Sequence, residues 1–155
     1  MSGSPIEVAL RSSTAADGGV PTLRPNATVG DALHTMAHGR HAGVVLVDAE
    51  GRYFGACTMR SVAALGMAVH GPGTPNLTFL GDDVERVRQR ITEARGLSVL
   101  HARDPDVPTV HPPPPTSEVL RRFSAGCPLV VVLERGTRRH LATIDWSGIL
   151  TAIAG

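Results

Sequence analysis

Residues 20–65 read VPTLRPNATVGDALHTMAHGRHAGVVLVDAEGRYFGACTMRSVAAL, and the chain repeats this pattern from residue 107. Val20-Pro21-Thr22 recurs as Val107-Pro108-Thr109, an offset of 87 residues (107 − 20), and the two halves stay in register to the end of the chain without a gap. Apolar residues match apolar residues at nearly every aligned position. Because internal repetition reveals architecture directly, the sequence predicts two copies of one supersecondary unit.

Each copy has the pattern of a β-α-β-β-α unit. After a short extended segment over 20–23, Thr28 and Asp31 form a capping-box pattern before a helix that ends at Gly39. Turn residues over 48–51 then separate two strand-forming runs, and a second helix is predicted over 62–69. The strands are expected over Gly43–Val47 and Tyr53–Thr58, and the second copy repeats these elements as a helix from Thr116 or Ser117, strands near 129–134 and 139–144, and a last helix over 146–153.

The segment between the copies is rich in Gly and Pro over 70–81, which predicts a loop. A helix is predicted to follow from Asp82, with Val84, Val87 and Ile91 as its apolar stripe and Gly96 at its end. Its arginines, Arg86, Arg88, Arg90 and Arg95, form either a basic patch for nucleic acid or phosphate, or a solvated face. The net charge of only +1 favours the solvated face.

The composition is that of a globular protein, with 42% hydrophobic and 19% charged residues in 155 positions. No lysine occurs in the sequence, which excludes Schiff-base and P-loop lysine chemistry. The two cysteines have no metal-knuckle spacing, and no apolar run reaches the roughly 18 residues that span a bilayer. We therefore expect a cytoplasmic protein that binds neither membrane nor nucleic acid.

Four sequence features match a known family. They are the Val20-x-Thr22-Leu23-x-Pro25 opening, the Asp31-Ala32-Leu33 helix, the Val47-Asp48-x-x-Gly51-Arg52 hairpin and Gly55-x-x-Thr58 before a helix. In these features the first copy, and more weakly the second, resembles the cystathionine-β-synthase (CBS) domain. The resemblance implies an α/β (α+β) fold of two pseudo-symmetric β-α-β-β-α repeats packed through their sheets, called a Bateman module. We expect one module over 1–155, with repeats at 6–69 and 97–155 and the connecting loop and helix at 70–96.

The resemblance also implies a regulatory module without catalytic residues, which binds AMP, ADP, ATP, adenosine or S-adenosylmethionine between the repeats. Such modules tend to form homodimers and to act on a further protein, here unknown. No other cofactor is expected. The alternative is a degenerate pair that has lost nucleotide binding and serves as a dimerisation or protein-interaction scaffold.

Members of this family place a Thr-x-x-Asp element at the ligand, where the hydroxyl faces phosphate and the carboxylate accepts hydrogen bonds from the ribose. Thr58 and Arg60 fit this element in the first repeat, but Ser61 stands at the Asp position. In the second repeat, Asp145 stands at the Thr position and Gly148 at the Asp position. Asp145 either repels a phosphate or simply caps the last helix.

The adenine is expected between the opening strand and the first hairpin strand of a repeat. It would contact Val20, Thr22, Val44 and Val45 in the first repeat, or Val107, Thr109, Val131 and Val132 in the second. Arg40 and His41 stand where family members often place groups that reach phosphate, although both are equally plausible as surface residues.

Two further groups of residues could carry chemistry. His34 and His38 are four positions apart on one helix, a spacing that suits Zn, Ni or Cu, but both lie off the apolar stripe, which favours solvated side chains. Cys57 is predicted to be a buried apolar residue, and Cys127 has no base beside it in the sequence. Nothing in the sequence assembles a catalytic site, so we expect a protein that is not an enzyme.

Overall fold

The computed structural model describes residues 20–39, 41–67, 80–112, 116–146 and 150. The predicted element order is found throughout the first repeat and, in the described part of the second, as far as its last strand. In the first repeat, the elements are β1 (Thr22–Leu23), α1 (Val29–Gly39), β2 (Gly43–Val47), β3 (Tyr53–Thr58) and α2 (Met59–Met67). The connection holds α3 (Leu80–Ala94) and a 3₁₀ helix (Val99–Ala102), and the second repeat holds β4 (Thr109–Val110), α4 (Thr116–Ser124), β5 (Leu129–Leu133) and β6 (His140–Asp145).

Local sequence signals explain where these elements begin and turn. The capping box before α1 is formed, since the Thr28 amide donates to Asp31 Oδ2 at 2.9 Å and the Asp31 amide donates to Thr28 Oγ1 at 3.1 Å. In the first hairpin, the Asp48 carboxylate accepts the amides of Glu50 and Arg52 at 3.0 and 2.8 Å. Gly51 has φ +84° there, a conformation that favours glycine.

The two sheets have the same topology. In the first, β1 pairs parallel to β2 and β2 antiparallel to β3; in the second, β4 pairs parallel to β5 and β5 antiparallel to β6. Thr22 is opposite Val45 in the first sheet and Thr109 is opposite Val131 in the second, so β1 and β4 differ by 87 residues (109 − 22) but β2 and β5 differ by 86 (131 − 45). The repeated topology is therefore confirmed, but the gapless register is wrong by one residue at β5. β3 and β6 return to the offset of 87 (144 − 57) because the turn between β5 and β6 is one residue longer than that between β2 and β3.

The sheets pack against each other through one apolar layer, here called the inter-sheet core. It contains residues of both repeats, namely Val45, Tyr53, Ala56, Val107, Leu129, Val131 and Leu133. The opposite face of each sheet packs on its own helices, with Met36 and Val44 in the first repeat and Val119 and Val132 in the second. The prediction of repeats packed through their sheets is confirmed.

Hydrogen bonds between the hairpin tips join the repeats a second time. The Tyr53 amide donates to the Arg138 carbonyl at 3.0 Å, and the His140 amide donates to the Gly51 carbonyl at 2.8 Å. Arg52 and Arg139 form an antiparallel bridge beside them. The two sheets are therefore fixed to each other by backbone contacts as well as by apolar packing.

Three expectations about the helices need correction. The connecting helix begins at Leu80, so the predicted loop over 70–81 is two residues too long; residues 68–79 lie outside the described part. On that helix Val84 is exposed rather than part of an apolar stripe. The second helix of the first repeat begins at Met59 instead of 62, because Thr58 and Ser61 exchange backbone-to-side-chain hydrogen bonds at its start.

Other predicted boundaries lie partly outside the described residues. The last helix was expected over 146–153, of which residues 147–149 and 151–153 are not described. The division into 6–69, 70–96 and 97–155 also stays a prediction.

Candidate functional site

The candidate site lies at the start of α2, where three predicted ligand-binding side chains come together. We call Thr58, Arg60 and Ser61 the Thr58 cluster. Thr58 closes β3 opposite Gly43, and β3 alternates so that Ala56 enters the inter-sheet core and Cys57 enters the helix-side core. Thr58 therefore points toward the space between the sheets, and the first turn of α2 presents Arg60 and Ser61 next to it.

Thr58 and Ser61 hold each other through a reciprocal capping arrangement. The Thr58 amide donates to Ser61 Oγ at 2.8 Å, and the Ser61 amide donates to Thr58 Oγ1 at 3.1 Å. Ser61 Oγ donates in turn to the Thr58 carbonyl at 2.9 Å. This fixes both hydroxyls at the N-terminus of α2, where the exposed amides and the helix dipole favour a negative charge.

A negative charge is present there, and it comes from the chain itself. Thr58 Oγ1 donates to Asp104 Oδ2 at 2.6 Å, and Arg60 donates to the same oxygen from Nε at 3.2 Å and from Nη2 at 3.0 Å. The other oxygen, Asp104 Oδ1, accepts the Asp106 amide at 2.9 Å. The Asp104 side chain is only 2% exposed, whereas that of Arg60 is 52% exposed.

These contacts decide the charge state of Asp104. Burial by itself raises the pKa of this carboxyl group, but the hydrogen bonds from Thr58, the Asp106 amide and Arg60 outweigh it and lower the pKa below 3.8, its ordinary value. Asp104 is therefore a carboxylate at neutral pH. It occupies the position that the Thr58 cluster offers to an anion.

Asp104 is placed by an extension of the first sheet. Arg103 forms an antiparallel bridge with Cys57, and the Asp104 amide donates to the Ala56 carbonyl at 2.7 Å, so residues 103–104 lie along the outer edge of β3. The stem of Arg103 crosses Gly55, where a Cβ atom would lie 2.6 Å from Arg103 Cδ and where φ is +134°. Gly55 therefore permits this segment to approach the sheet.

This edge segment has no sequence pattern that predicts it. The residues are a 3₁₀ helix capped by Ser98 and then the extended pair Arg103-Asp104, both too short to produce a helical or strand period. The contact between Thr58 and Asp104 spans 46 positions, and neighbouring Asp106 offers the same chemistry in the sequence. The sequence offers one indirect signal, since a hydroxyl and a guanidinium at the start of a helix favour an anionic partner.

The predicted adenine contacts divide between two faces of each sheet. Val20, Val45, Val107 and Val131 belong to or pack on the inter-sheet core, and Thr22 and Thr109 are exposed at its edges. Val44 and Val132 instead face the helices and are fully or almost fully buried, because successive strand residues alternate between faces. The expectation that these two side chains line the cleft is therefore corrected.

The first repeat's edge and its Thr58 cluster are separate in this structure. β2 lies between β1 and β3. Leu129 of the second sheet covers Gly43, since a Cβ atom added to this glycine would lie 2.8 Å from Leu129 Cδ1. Thr22 and Thr58 therefore lie on the same face of the sheet, but β2 and Leu129 separate them.

Two other predicted ligand-binding residues lie at the limits of the described chain. Arg40 lies outside the described residues. Asp145 ends β6 and is half-buried, and residues 147–149, which it would cap, are not described.

The remaining candidates form no site in the described part of the chain. The His34 and His38 rings are exposed and in contact, with centroids 3.8 Å apart, but no group of three or more metal-ligating side chains is found among the described residues. Burial raises the pKa of Cys57, which keeps it a thiol. No helix among the described ranges is long and apolar enough to cross a membrane.

Comparisons with known proteins agree with this architecture. Residues 17–67 match the family model of the CBS domain. No curated protein sequence matches the chain.

Three solved structures illustrate the shared fold. A complex of CBSX2 with AMP has a TM-score of 0.65 at 14% identity, covering 95% of this chain and 96% of that one. A putative acetoin utilization protein, AcuB, from Vibrio cholerae has a TM-score of 0.65 at 17% identity, covering 94% and 89%. A CBS-domain-containing protein from Agrobacterium tumefaciens has a TM-score of 0.63 at 20% identity, covering 94% and 92%. At these identities the likeness establishes the fold.

Proposed function

Because the chain contains a CBS domain and has the fold of a CBS-domain pair, we propose that it is a regulatory module that binds an adenine-containing ligand at its first repeat. The ligand's polar part lies at the Thr58 cluster, and binding changes the packing of the repeats and thereby the activity of a partner protein. The module acts by binding rather than by catalysis. The observation that carries the proposal is the convergence of Thr58, Arg60 and Ser61 at the start of α2 beside the inter-sheet space.

The first repeat suits a phosphate- or ribose-bearing ligand better than the second repeat does. The Thr58 cluster supplies two hydroxyl groups and a guanidinium, of which Arg60 and Ser61 retain exposed surface. The matching position in the second repeat holds the carboxylate of Asp145. A hydroxyl or guanidinium can donate to a ribose or phosphate oxygen, whereas a carboxylate repels phosphate. The first repeat is therefore the proposed ligand site. The AMP complex of the similarly folded CBSX2 favours an adenine compound as its occupant.

Thermal unfolding with added ligand tests the proposal. The compounds are adenosine, S-adenosylmethionine, AMP, ADP and ATP, with GMP as a control. At about a hundredfold excess over the dissociation constant, binding adds about 2.7 kcal/mol to the free energy of unfolding, which raises the midpoint by about 5–10 °C for a chain of this size. We expect such a rise with at least one adenine compound.

A pair of serine variants locates the binding. Ser61→Ala removes a hydroxyl of the Thr58 cluster, whereas Ser98→Ala removes a half-buried hydroxyl that caps the 3₁₀ helix by accepting the Leu100 amide at 3.2 Å. Each variant loses the hydrogen bond that caps a helix, which costs about 1 kcal/mol. Ser61→Ala also loses the bond that its hydroxyl donates to the Thr58 carbonyl, so each ligand-induced rise is compared with the same variant without ligand. We expect Ser61→Ala to reduce the ligand-induced rise and Ser98→Ala to retain it. An equal response from the two variants contradicts the proposed location.

The scaffold alternative has one observation in its favour. Thr58 is only 1% exposed and its hydroxyl is already bonded to Asp104, so the cluster is satisfied without a ligand. A module without ligand would serve as a dimerisation or protein-interaction surface. Unfolding midpoints that stay unchanged with all five adenine compounds would support this alternative, and light scattering would then establish whether the chain forms a homodimer.

A further inference from the structure

We infer that Asp104 is a specificity-determining residue of the first-repeat site, and that it selects uncharged or cationic adenine compounds, such as adenosine or S-adenosylmethionine, over AMP, ADP and ATP. This inference rests on the proposed function, because it names the ligand class of the same site. It is carried by the hydrogen bonds that Asp104 makes with Thr58 and Arg60 and by the burial of its carboxylate.

The groups around Asp104 are those that bind an anion. A guanidinium donates from two nitrogen atoms, a hydroxyl donates from Thr58, and the N-terminus of α2 adds its dipole. All three donated hydrogen bonds end on Asp104 Oδ2. An anionic ligand group can replace Asp104 as the acceptor of these three hydrogen bonds only by displacing this oxygen.

Displacement of Asp104 is costly for two reasons. The carboxylate is 2% exposed and is held on its other oxygen by the Asp106 amide, so it cannot turn toward water without breaking that bond as well. Its backbone is also fixed, because the Asp104 amide bonds the Ala56 carbonyl at the edge of β3. If Asp104 stays in place, a phosphate would share one guanidinium with a second anion at close range, and like charges repel.

A neutral ligand avoids this conflict. A ribose hydroxyl can approach the exposed part of Arg60 or the half-buried Ser61 without competing for Asp104 Oδ2. A cationic ligand is favoured further, since the field of the carboxylate attracts it. The same carboxylate thus admits a nucleoside and excludes its phosphate esters.

The matched variants for the test are Asp104→Asn and Asp106→Asn. Both remove one negative charge from the same turn, but the side chain of Asp106 is exposed, and the turn uses only its amide to hold Asp104. Asparagine at 104 has the same shape and keeps an oxygen for Thr58 and Arg60, but it loses the acceptor of the Asp106 amide. Binding is measured for adenosine and AMP by isothermal titration calorimetry on the full chain, well below the unfolding midpoint of each variant.

We expect the wild type to bind adenosine at least about tenfold more tightly than AMP, the loss associated with one charged hydrogen bond. In Asp104→Asn this ratio should fall toward one through tighter AMP binding, while Asp106→Asn keeps the wild-type ratio. Equal affinities for adenosine and AMP in the wild type, or a ratio that Asp104→Asn leaves unchanged, overturn the inference and leave the proposed function standing. If neither compound binds any of the three proteins, the inference fails, and the proposed function fails as well when none of the five adenine compounds raises the unfolding midpoint.

Discussion

Leu129→Ala should lower the free energy of unfolding by about 2–5 kcal/mol, the range for deleting a buried leucine side chain in a closely packed core. Leu129 is fully buried in the inter-sheet core. It also covers Gly43 of the first sheet, so the substitution opens a cavity between the repeats and not within one of them. Urea unfolding followed by circular dichroism measures the change.

Leu141→Ala is the matched control for this prediction. Leu141 lies on β6 of the same sheet but is 39% exposed, so the same deletion removes much less buried surface. We expect it to cost less than about 1 kcal/mol. If the two variants lose similar stability, or if Leu129→Ala costs less than the control, the repeats are not held together through their sheets as described.

Asp104→Ala is expected to destabilise the chain by about 2–4 kcal/mol, which lowers the unfolding midpoint by about 4–16 °C at this chain length. The substitution leaves the buried Thr58 hydroxyl and the Asp106 amide without their acceptor. The ion pair itself contributes little to this figure, because Arg60 is half-exposed and water screens its charge. Thermal unfolding at neutral pH gives the value, with Asp106→Ala as a control that should change stability by less than about 0.5 kcal/mol.

The pH dependence of the stability difference between the wild type and Asp104→Ala tests whether Asp104 acts through its charge. The folded state lowers the pKa of Asp104 below 3.8, so its contribution is fully present above that value and is lost as the pH falls through the lowered pKa. The stability gap between the wild type and Asp104→Ala should therefore narrow as the pH falls below the ordinary carboxyl range. A gap that stays constant or widens on acidification would show that Asp104 acts through its packing rather than through its charge.

The elements that could be predicted from the sequence are those with a repeating side-chain pattern. The α1 helix and the four hairpin strands follow from apolar spacing and from the capping and turn residues. The gapless register between the repeats fails by one residue at β5, because successive valines there let the alignment slip without changing the apolar pattern. The α2 helix begins three residues before its predicted start, because the hydrogen bonds between Thr58 and Ser61 that begin it use a serine where a capping box usually has Glu or Gln.

The candidate site was predictable only in part. Thr58, Arg60 and Ser61 are adjacent in the sequence and were recognised together, but their partner arrives from a segment that follows a separate helix. Nothing in local propensity distinguishes Asp104 from Asp106, since only the pairing of Arg103 with Cys57 decides which carboxylate reaches Thr58. Likewise, alternation along β2 places Val44 and Val45 on opposite faces, but only the packing of the second repeat decides which of them enters the inter-sheet core.

The most direct test of the proposed ligand site is a crystal structure of the protein grown with saturating adenosine. We expect one nucleoside at the first repeat, with its ribose within hydrogen-bonding distance of Arg60 or Ser61 and with Asp104 still bonded to Thr58. A nucleoside found only at the second repeat, or no bound nucleoside at saturation, would contradict it.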